Sequence, residues 1–494
     1  MAENNNKDLK DLSESDKAIF EEAESLYQNK ELKKALEKFQ SVEHKDKNVC
    51  FMIATLYNQL KLYKEAEKYY LLAIQKGHVG AMNNLAVLYK NEFKSYEKAQ
   101  KCYFMAFQNG YVSAMFNLAR LYQNELNSYE KAKACYLIAI QKGHVGAMLN
   151  LALLYHKELN SYKEAEKYYI MAAERGDVKA MRNLALLYEE KKESEKAEKY
   201  YLMAVEKGDV KAIRNLALLY HREFKAYDKA EEYYLLAIKK GHVNAMPNLA
   251  LLYEEDEIRS YDKAEKYYLM AIDKGHSGAM FNLALLYHRE FRSFDKAEKY
   301  YLKAVERGHV GAMFNLALLY EEDEIKDYAK AEKYYIMASE KGATDAMNNL
   351  AWLYFSQKRE RAKALEYAKK ACASEKDFSH QHTLAHILLW DNQMENAVQL
   401  FSEIIKAPNS VEQYYGDIQN FLLLLIAKTQ YRIALHFFQN KALRFMETYK
   451  PIYYALMFFM QKEFPDEFRR MDPALKTAVE NILKILEQLR KDYA

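Results

Sequence analysis

The hydrophobic positions of this chain recur at helical spacing. In residues 295–308, "DKAEKYYLKAVERG", Ala297, Tyr300, Tyr301 and Ala304 fall three and four apart, which lays one apolar stripe along a helix. The segment from Gly311, "GAMFNLALLYEE", does the same with Met313, Leu316, Ala317 and Tyr320. A Gly closes the first of these helices, because it can take the left-handed backbone without Cβ strain, and the Arg before it suits the negative helix end. Short links such as "RSFD" (292–295) offer Ser and Asp as capping residues for the following helix. The pattern predicts a helical hairpin of about 33 residues.

That hairpin is written many times. Gly returns in the same context at 77, 110, 143, 176, 208, 241, 275, 308 and 342, in steps of 32 to 34, the sign of a repeat array. Ala297 and Ala317 have counterparts at Ala264 and Ala284 one unit back and at Ala331 and Ala351 one unit on. Helices can approach closely at such small residues, while Tyr and Leu fill the spaces between. A single hairpin buries too little apolar surface to offset its ordering entropy, whereas neighbours stacked at roughly 8–10 Å share one core. The expected fold is all-α, a right-handed α-solenoid of about twelve stacked helical hairpins with a C-terminal helical cap.

The expected organisation is a disordered N-terminal tail over 1–15, a degenerate repeat over 16–44, the clear array over 45–377, a second degenerate repeat over 378–410, and a C-terminal cap or docking region over 411–494. In the last region the period is lost. Val479, Ile482, Leu483, Ile485, Leu486 and Leu489 form an amphipathic stripe there, and "YYALMFFM" (453–460) is rich in aromatics and Met. A solenoid end exposes its core unless it is covered. The alternative use of this region is docking or self-assembly as a homodimer.

"NLALLY" followed by the Ala, Tyr and Ala of the second helix resembles the tetratricopeptide repeats, and "KAEKYYLKAVERGHVGAM" resembles their Sel1-like relatives. Sel1-like repeats usually carry a Gly-containing loop inside the hairpin, and this sequence lacks it. The resemblance implies a protein- or peptide-binding scaffold or adaptor. In tetratricopeptide superhelices equivalent asparagines line the concave face and hold peptide main chain, and the resemblance implies that role here for Asn84, Asn117, Asn150, Asn183, Asn215, Asn248, Asn282, Asn315 and Asn349.

The residues themselves leave two uses for that row open. Asn is a mediocre helix former, so its recurrence in mid-helix needs a cause. A carboxamide matches either an extended peptide backbone or a partner in the neighbouring repeat. Two variable positions lie one turn apart beside it: Asn83, Phe116, Leu149, Arg182, Arg214, Pro247, Phe281, Phe314 and Asn348, and three residues earlier Gly80, Ser113, Gly146, Lys179, Lys211, Asn244, Gly278, Gly311 and Asp345. Lys179, Arg182, Lys211 and Arg214 thereby fall in adjacent repeats. They resemble the carboxylate clamp of peptide-binding tetratricopeptide domains, which implies an acidic or C-terminal peptide. Phe281 and Phe314 would supply an apolar section for an anchoring side chain.

The duplicated block is two hairpins, since "YHREFKAYDKAEEYY" from Tyr220 nearly returns from Tyr287. Ends of the first helices therefore alternate: His221 and Arg222, Glu254 to Asp256, His288 and Arg289, then Glu321 to Asp323. This alternation reads as a register device or a solvated edge before it reads as a binding site.

Chemistry beyond binding finds little support. Phosphate loops, HExxH, GxSxG and CxxC are absent, so no catalytic residue and no cofactor are expected. Histidines after Gly (His78, His144, His242, His276, His309) read as turn residues, and His380, His382 and His386 lack a third reliable donor and an acid for a metal. Seventy-three Lys and Arg against 70 Asp and Glu give a net charge of +3, which argues against nucleic acid as the partner. An RNA reader with one base per repeat is the weaker alternative. Four scattered cysteines and the want of a long apolar run fit a cytoplasmic chain without membrane insertion.

Overall fold

The computed structural model describes residues 12–375, 377–406, 415–428, 434, 452–457, 460 and 473–493. Among them every regular element is a helix. From α1 (Glu14–Gln28) to α24 (Met394–Lys406) the described helices follow as twelve consecutive pairs, and eleven of these pairs pack as hairpins inside one or other of the chain's compact units. The first helix opens at Glu14, capped by Ser13, inside the stretch expected to be a disordered tail; residues 1–11 lie outside the described residues.

The chain forms two compact units, Met1–Leu252 and Tyr253–Ala494, and the division falls inside α15 (Ala245–Glu254). Both are built on the same rule. The small positions are completely buried, for example Ala197 and Ala217 in the first unit and Ala297 and Ala317 in the second. One Tyr in each second helix from Tyr63–Gln75 to Tyr328–Glu340 is also buried to 2% exposure or less, among them Tyr136 and Tyr201 in the first unit and Tyr301 and Tyr335 in the second. An aromatic of this size removes 150–250 Å² from water, so these rows dominate the core.

Consecutive hairpins are also tied by hydrogen bonds. In most repeats the Tyr near the end of the first helix donates to a carboxylate on the second helix of the hairpin before, as Tyr188 to Glu166 at 2.8 Å in the first unit and Tyr354 to Glu332 at 2.6 Å in the second, whereas Tyr122 donates to the Gln100 amide. The sequence motif "KAEKYY" thus serves two hairpins, its Ala and second Tyr facing the core and its Glu facing the next unit.

Both kinds of turn use left-handed backbone, by different residues. Gly308 has φ +78° and nothing lies within 4 Å of where its Cβ would be, so conformation alone demands Gly there. Gly77 N–H bonds Ile74 O and His78 N–H bonds Ala73 O, the paired closure of a Schellman end. Inside each hairpin the left-handed residue is Lys, Asn or Arg, as at Lys225 (φ +51°) and Arg292 (φ +50°). The missing Gly-containing loop is replaced by side chains that bear this strain.

The capping expectation is corrected on one point. Ser293 sits at the N-cap of α18 (Phe294–Glu306) but makes no side-chain cap bond, whereas the turn after Gly does: His309 Nδ1 accepts from Ala312 N at 3.1 Å, and Asp209 from Ala212 N at 3.0 Å. At the C-terminal end, helix Tyr415–Ala427 packs on α23 (Phe378–Trp390) and against helix Pro473–Tyr493, whose Val479 and Leu486 are fully buried. The rings of Phe401 and Phe421 stack at 3.7 Å. Most of 411–472 lies outside the described residues, as do two residues of "YYALMFFM", 458 and 459.

Candidate functional site

All nine asparagines of the row are half-buried. Each sits in mid-helix beside the buried Tyr row, and several bond to it: Asn84, Asn215 and Asn282 to the hydroxyls of Tyr70, Tyr201 and Tyr268, and Asn349 to Tyr335 at 3.5 Å. Asn150 and Asn315 instead donate to the carbonyls of Gly146 and Gly311 in their own helices. Asn117 reaches Asn83 of the preceding repeat at 2.9 Å. A carboxamide has four hydrogen-bonding sites, so these contacts leave capacity for a ligand while explaining why Asn is tolerated in mid-helix.

In several repeats the residue before the Asn faces the next hairpin. Arg182 donates through Nη1 to Asp209, the N-cap of the following repeat, with side chains only 17% and 9% exposed. Phe281 stacks on His309 at 4.5 Å and Phe116 on His144 at 4.5 Å, again the caps of following repeats. Phe314 tilts against Tyr335 at 6.0 Å. Arg214 donates to Asn215 at 3.2 Å, and Asn248, its amide oxygen turned toward Arg214, accepts from Nε and Nη2 at 3.1 and 3.3 Å. Leu149 and Pro247 are buried. Of the four cations read as a clamp, Lys179 and Lys211 are exposed, while the two arginines are engaged within the array.

Of the two readings of the alternation at the first-helix ends, its inner residues fit the register device, bonded to the Tyr row, and its outer ones, Arg222, Asp256, Arg289 and Asp323, form a solvated edge. His156 and His221 are 5% exposed. Their Nδ1 atoms lie 3.3 and 3.4 Å from the hydroxyls of Tyr169 and Tyr234, and in the intervening repeat Tyr201 donates to Glu189 at 2.5 Å. In the second unit His288 meets Tyr301, and Glu254 and Glu321 accept from Tyr268 and Tyr335. A buried phenol needs a partner, and His or Glu supplies it in turn. Burial pushes the Glu189, Glu254 and Glu321 carboxyls above their usual range, against the lowering effect of the Tyr donors.

The next residue along continues the alternation on a more open surface: Lys157, Glu190 and Arg222 in the first unit, Glu255, Arg289 and Glu322 in the second. Between the Asn row and this charged row lies a third that sequence reasoning missed, Leu153, Leu186, Leu218 and Leu251 in one unit and Leu285, Leu318 and Trp352 in the other. Leu251 and Trp352 are each 39% exposed. The signal was present, an apolar residue three after every Asn but that of Arg120, and helical geometry puts it on the Asn face.

These rows converge in the second unit on a cleft of about 630 Å³. It is lined by His288, Arg289 and Arg292 at the end of one first helix and in the link after it, and by Asn315, Leu318, Glu321, Glu322 and Asp323 on the next first helix and its end. Elsewhere the candidates lose their chemistry. His386 Nδ1 lies 3.0 Å from the His382 carbonyl within α23, and no group of His, Cys, Asp or Glu among the described residues could hold a metal. Burial raises the Cys102, Cys135 and Cys372 thiols to about 11, which keeps them protonated and unreactive. No described helix is long and apolar enough to cross a membrane.

Stacked hairpins, a 33-residue period and left-handed closures define a helical-repeat protein. The Sel1 repeat model matches residues 79–111, 210–242, 243–276, 277–309, 310–342 and 344–375, and tetratricopeptide repeat models match 48–75, 112–141 and 155–212. The chain belongs to the Sel1-like and tetratricopeptide repeat proteins, a typically non-catalytic class that builds protein-interaction scaffolds. Among solved structures it is similar to a protective antigen of uropathogenic Escherichia coli strains displaying an SLR fold (20% identity, TM-score 0.42, covering 87% of this chain and 95% of that one). It is also similar to a Sel1 repeat protein from Oxalobacter formigenes (20%, 0.45, 62% and 93%) and to yeast Tom70 (16%, 0.37, 84% and 96%). A search of curated proteins gives no match.

Proposed function

We propose that this protein is a non-enzymatic scaffold that holds an extended peptide along its first-helix face, with asparagine carboxamides on the peptide main chain. The observation that carries the reading is the placement of Asn315 in the lining of an open cleft, with all nine members of its row half-buried at equivalent places. A donor and an acceptor repeated at each helix suit an extended backbone, whose own N–H and C=O groups recur at comparable intervals. Lys179 and Lys211, exposed in the first unit, are the cations that would meet an acidic side chain or a terminal carboxylate. Arg182 and Arg214, held by Asp209 and by two asparagines, brace the wall behind them.

The test is selection of a random library of peptides about twelve residues long on the full chain, followed by affinity measurement on an Asn282→Ala/Asn315→Ala/Asn349→Ala variant. The expected result is a loss of about tenfold or more for selected peptides, as two or three main-chain hydrogen bonds disappear. Selected peptides binding the triple variant undiminished, or a library yielding no binder, would sink the reading.

A further inference from the structure

We propose that the cleft of the second unit takes a peptide of mixed charge, with an acidic side chain facing Arg289 and a basic one facing Glu322 and Asp323 about three residues further on. The inference rests on the peptide-binding reading and specifies the ligand for that site.

The two sides of the cleft differ in sign because two hairpins, duplicated as a block, end their first helices differently. On the side of α17 (Gly278–Arg289), Arg289 is exposed and forms no ion pair among the described residues. Arg292 is partly answered by Glu324 at 3.2 Å. Across the cleft, at the end of α19 (Val310–Glu321), Glu321 is spent on Tyr335. Glu322 lies 3.3 Å from His288 Nε2, a partner that carries charge only when protonated, and Asp323 is 92% exposed with Lys326 at 3.1 Å.

A wholly acidic peptide would gain at Arg289 and be repelled at Glu322 and Asp323. A wholly basic one would meet the reverse. Adjacent packed helices stand roughly 8–10 Å apart and an extended chain rises 3.2–3.4 Å per residue, so a strand crossing from one helix end to the next advances about three residues. Asn315 and Leu318 line the same cleft two turns and one turn before Glu322 on the helix that carries it, where they can serve the main chain and an apolar side chain of the peptide. The corresponding row of the first unit closes on itself, with Glu190 2.7 Å from His156 and 3.7 Å from Lys157. That is why the inference is assigned to the second unit.

The experiment compares peptide pools selected from the same random library by the wild-type chain and by an Arg289→Glu/Glu322→Arg exchange. Wild-type pools are expected to enrich an acidic and a basic residue three apart, and the exchanged protein to enrich them in the opposite order. A synthetic peptide from the wild-type pool should lose about tenfold in affinity on the exchanged protein and recover when its two charges are swapped. Pools of one sign, pools without that spacing, or equal binding of one peptide to both proteins would overturn the mixed-charge inference while leaving peptide binding intact. Preference for a polyuridine RNA over every peptide, or no peptide selected at all, would overturn both. Should the exchanged protein fail to fold, Arg289→Ala at this exposed position decides the matter: retained affinity for the wild-type peptide refutes the proposal.

Discussion

In the first unit Arg182 reaches forward to the Asp209 cap of the next hairpin; in the second, at the equivalent place, Phe281 reaches forward to the His309 cap. One contact is ionic and nearly buried, the other a ring stack at 4.5 Å, yet both fasten a helix to the start of its successor. The difference teaches that this variable position is chosen in concert with a residue 27 or 28 further along. What looks like variation for ligand specificity is largely variation in how repeats join.

Breaking the ionic version should cost the most. Asp209→Ala removes a helix cap and leaves Arg182 without its carboxylate in a mostly buried setting, a loss of about 2–4 kcal/mol in the hairpins around it. Urea unfolding combined with hydrogen exchange localises the effect, and α13 (Val210–Arg222) should lose protection first. Transplanting the ring stack, which Phe116 and His144 already form in the first unit, as Arg182→Phe with Asp209→His, should recover much of that loss. A coupling energy near zero between the two changes would refute the paired choice.

The ring stack is weaker and sensitive to acid. His309→Ala removes a cap and a stacked ring, about 1–2 kcal/mol. Burial holds the His309 and His144 imidazoles below their usual range. The unfolded chain therefore binds more protons than the folded one, and stability rises with pH. The contribution is complete above the unfolded value of about 6.5 and is lost as pH falls through it toward the lower folded value. Thermal melts between pH 7.5 and 5 should show this decline, and His309→Asp should flatten it.

How much of this was legible depended on the distance over which residues speak. Hairpins, their count and the Gly closures follow from spacings inside one repeat, so Ala297, Tyr301 and Gly308 announced themselves. The Asn row was equally visible because it recurs in nine successive repeats. Contacts between repeats were not, because which side chain of one helix meets which of the next depends on rotation and crossing angle. Thus Arg182 was read as a ligand cation and Phe281 as an anchor, while the alternating His221 and Glu254 were left open between a register device and a solvated edge. Pairing of Arg182 with Asp209 and of Phe116 and Phe281 with His144 and His309 was a signal in the letters, blurred by Arg214, whose successor in the cap position is His242.

The two units also share a contrast of turns that can be tested by smaller changes. Gly308→Ala puts a Cβ on left-handed backbone with open space around it, so its cost is conformational, about 1 kcal/mol.

Lys225→Gly should act in the opposite sense and least of all. Lys225 holds φ +51° inside its hairpin, a conformation that costs an L residue about 1–2 kcal/mol and Gly little. Against that relief, Gly widens the unfolded ensemble by about 0.4–1 kcal/mol. The net expectation is a gain of about 0.5 kcal/mol, seen as a small rise in the urea midpoint. A clear loss instead would mean that the Lys225 side chain contributes contacts its backbone strain conceals. The Sel1-type Gly loop would then be missing here because a side chain does better, and not merely because the strain is tolerable.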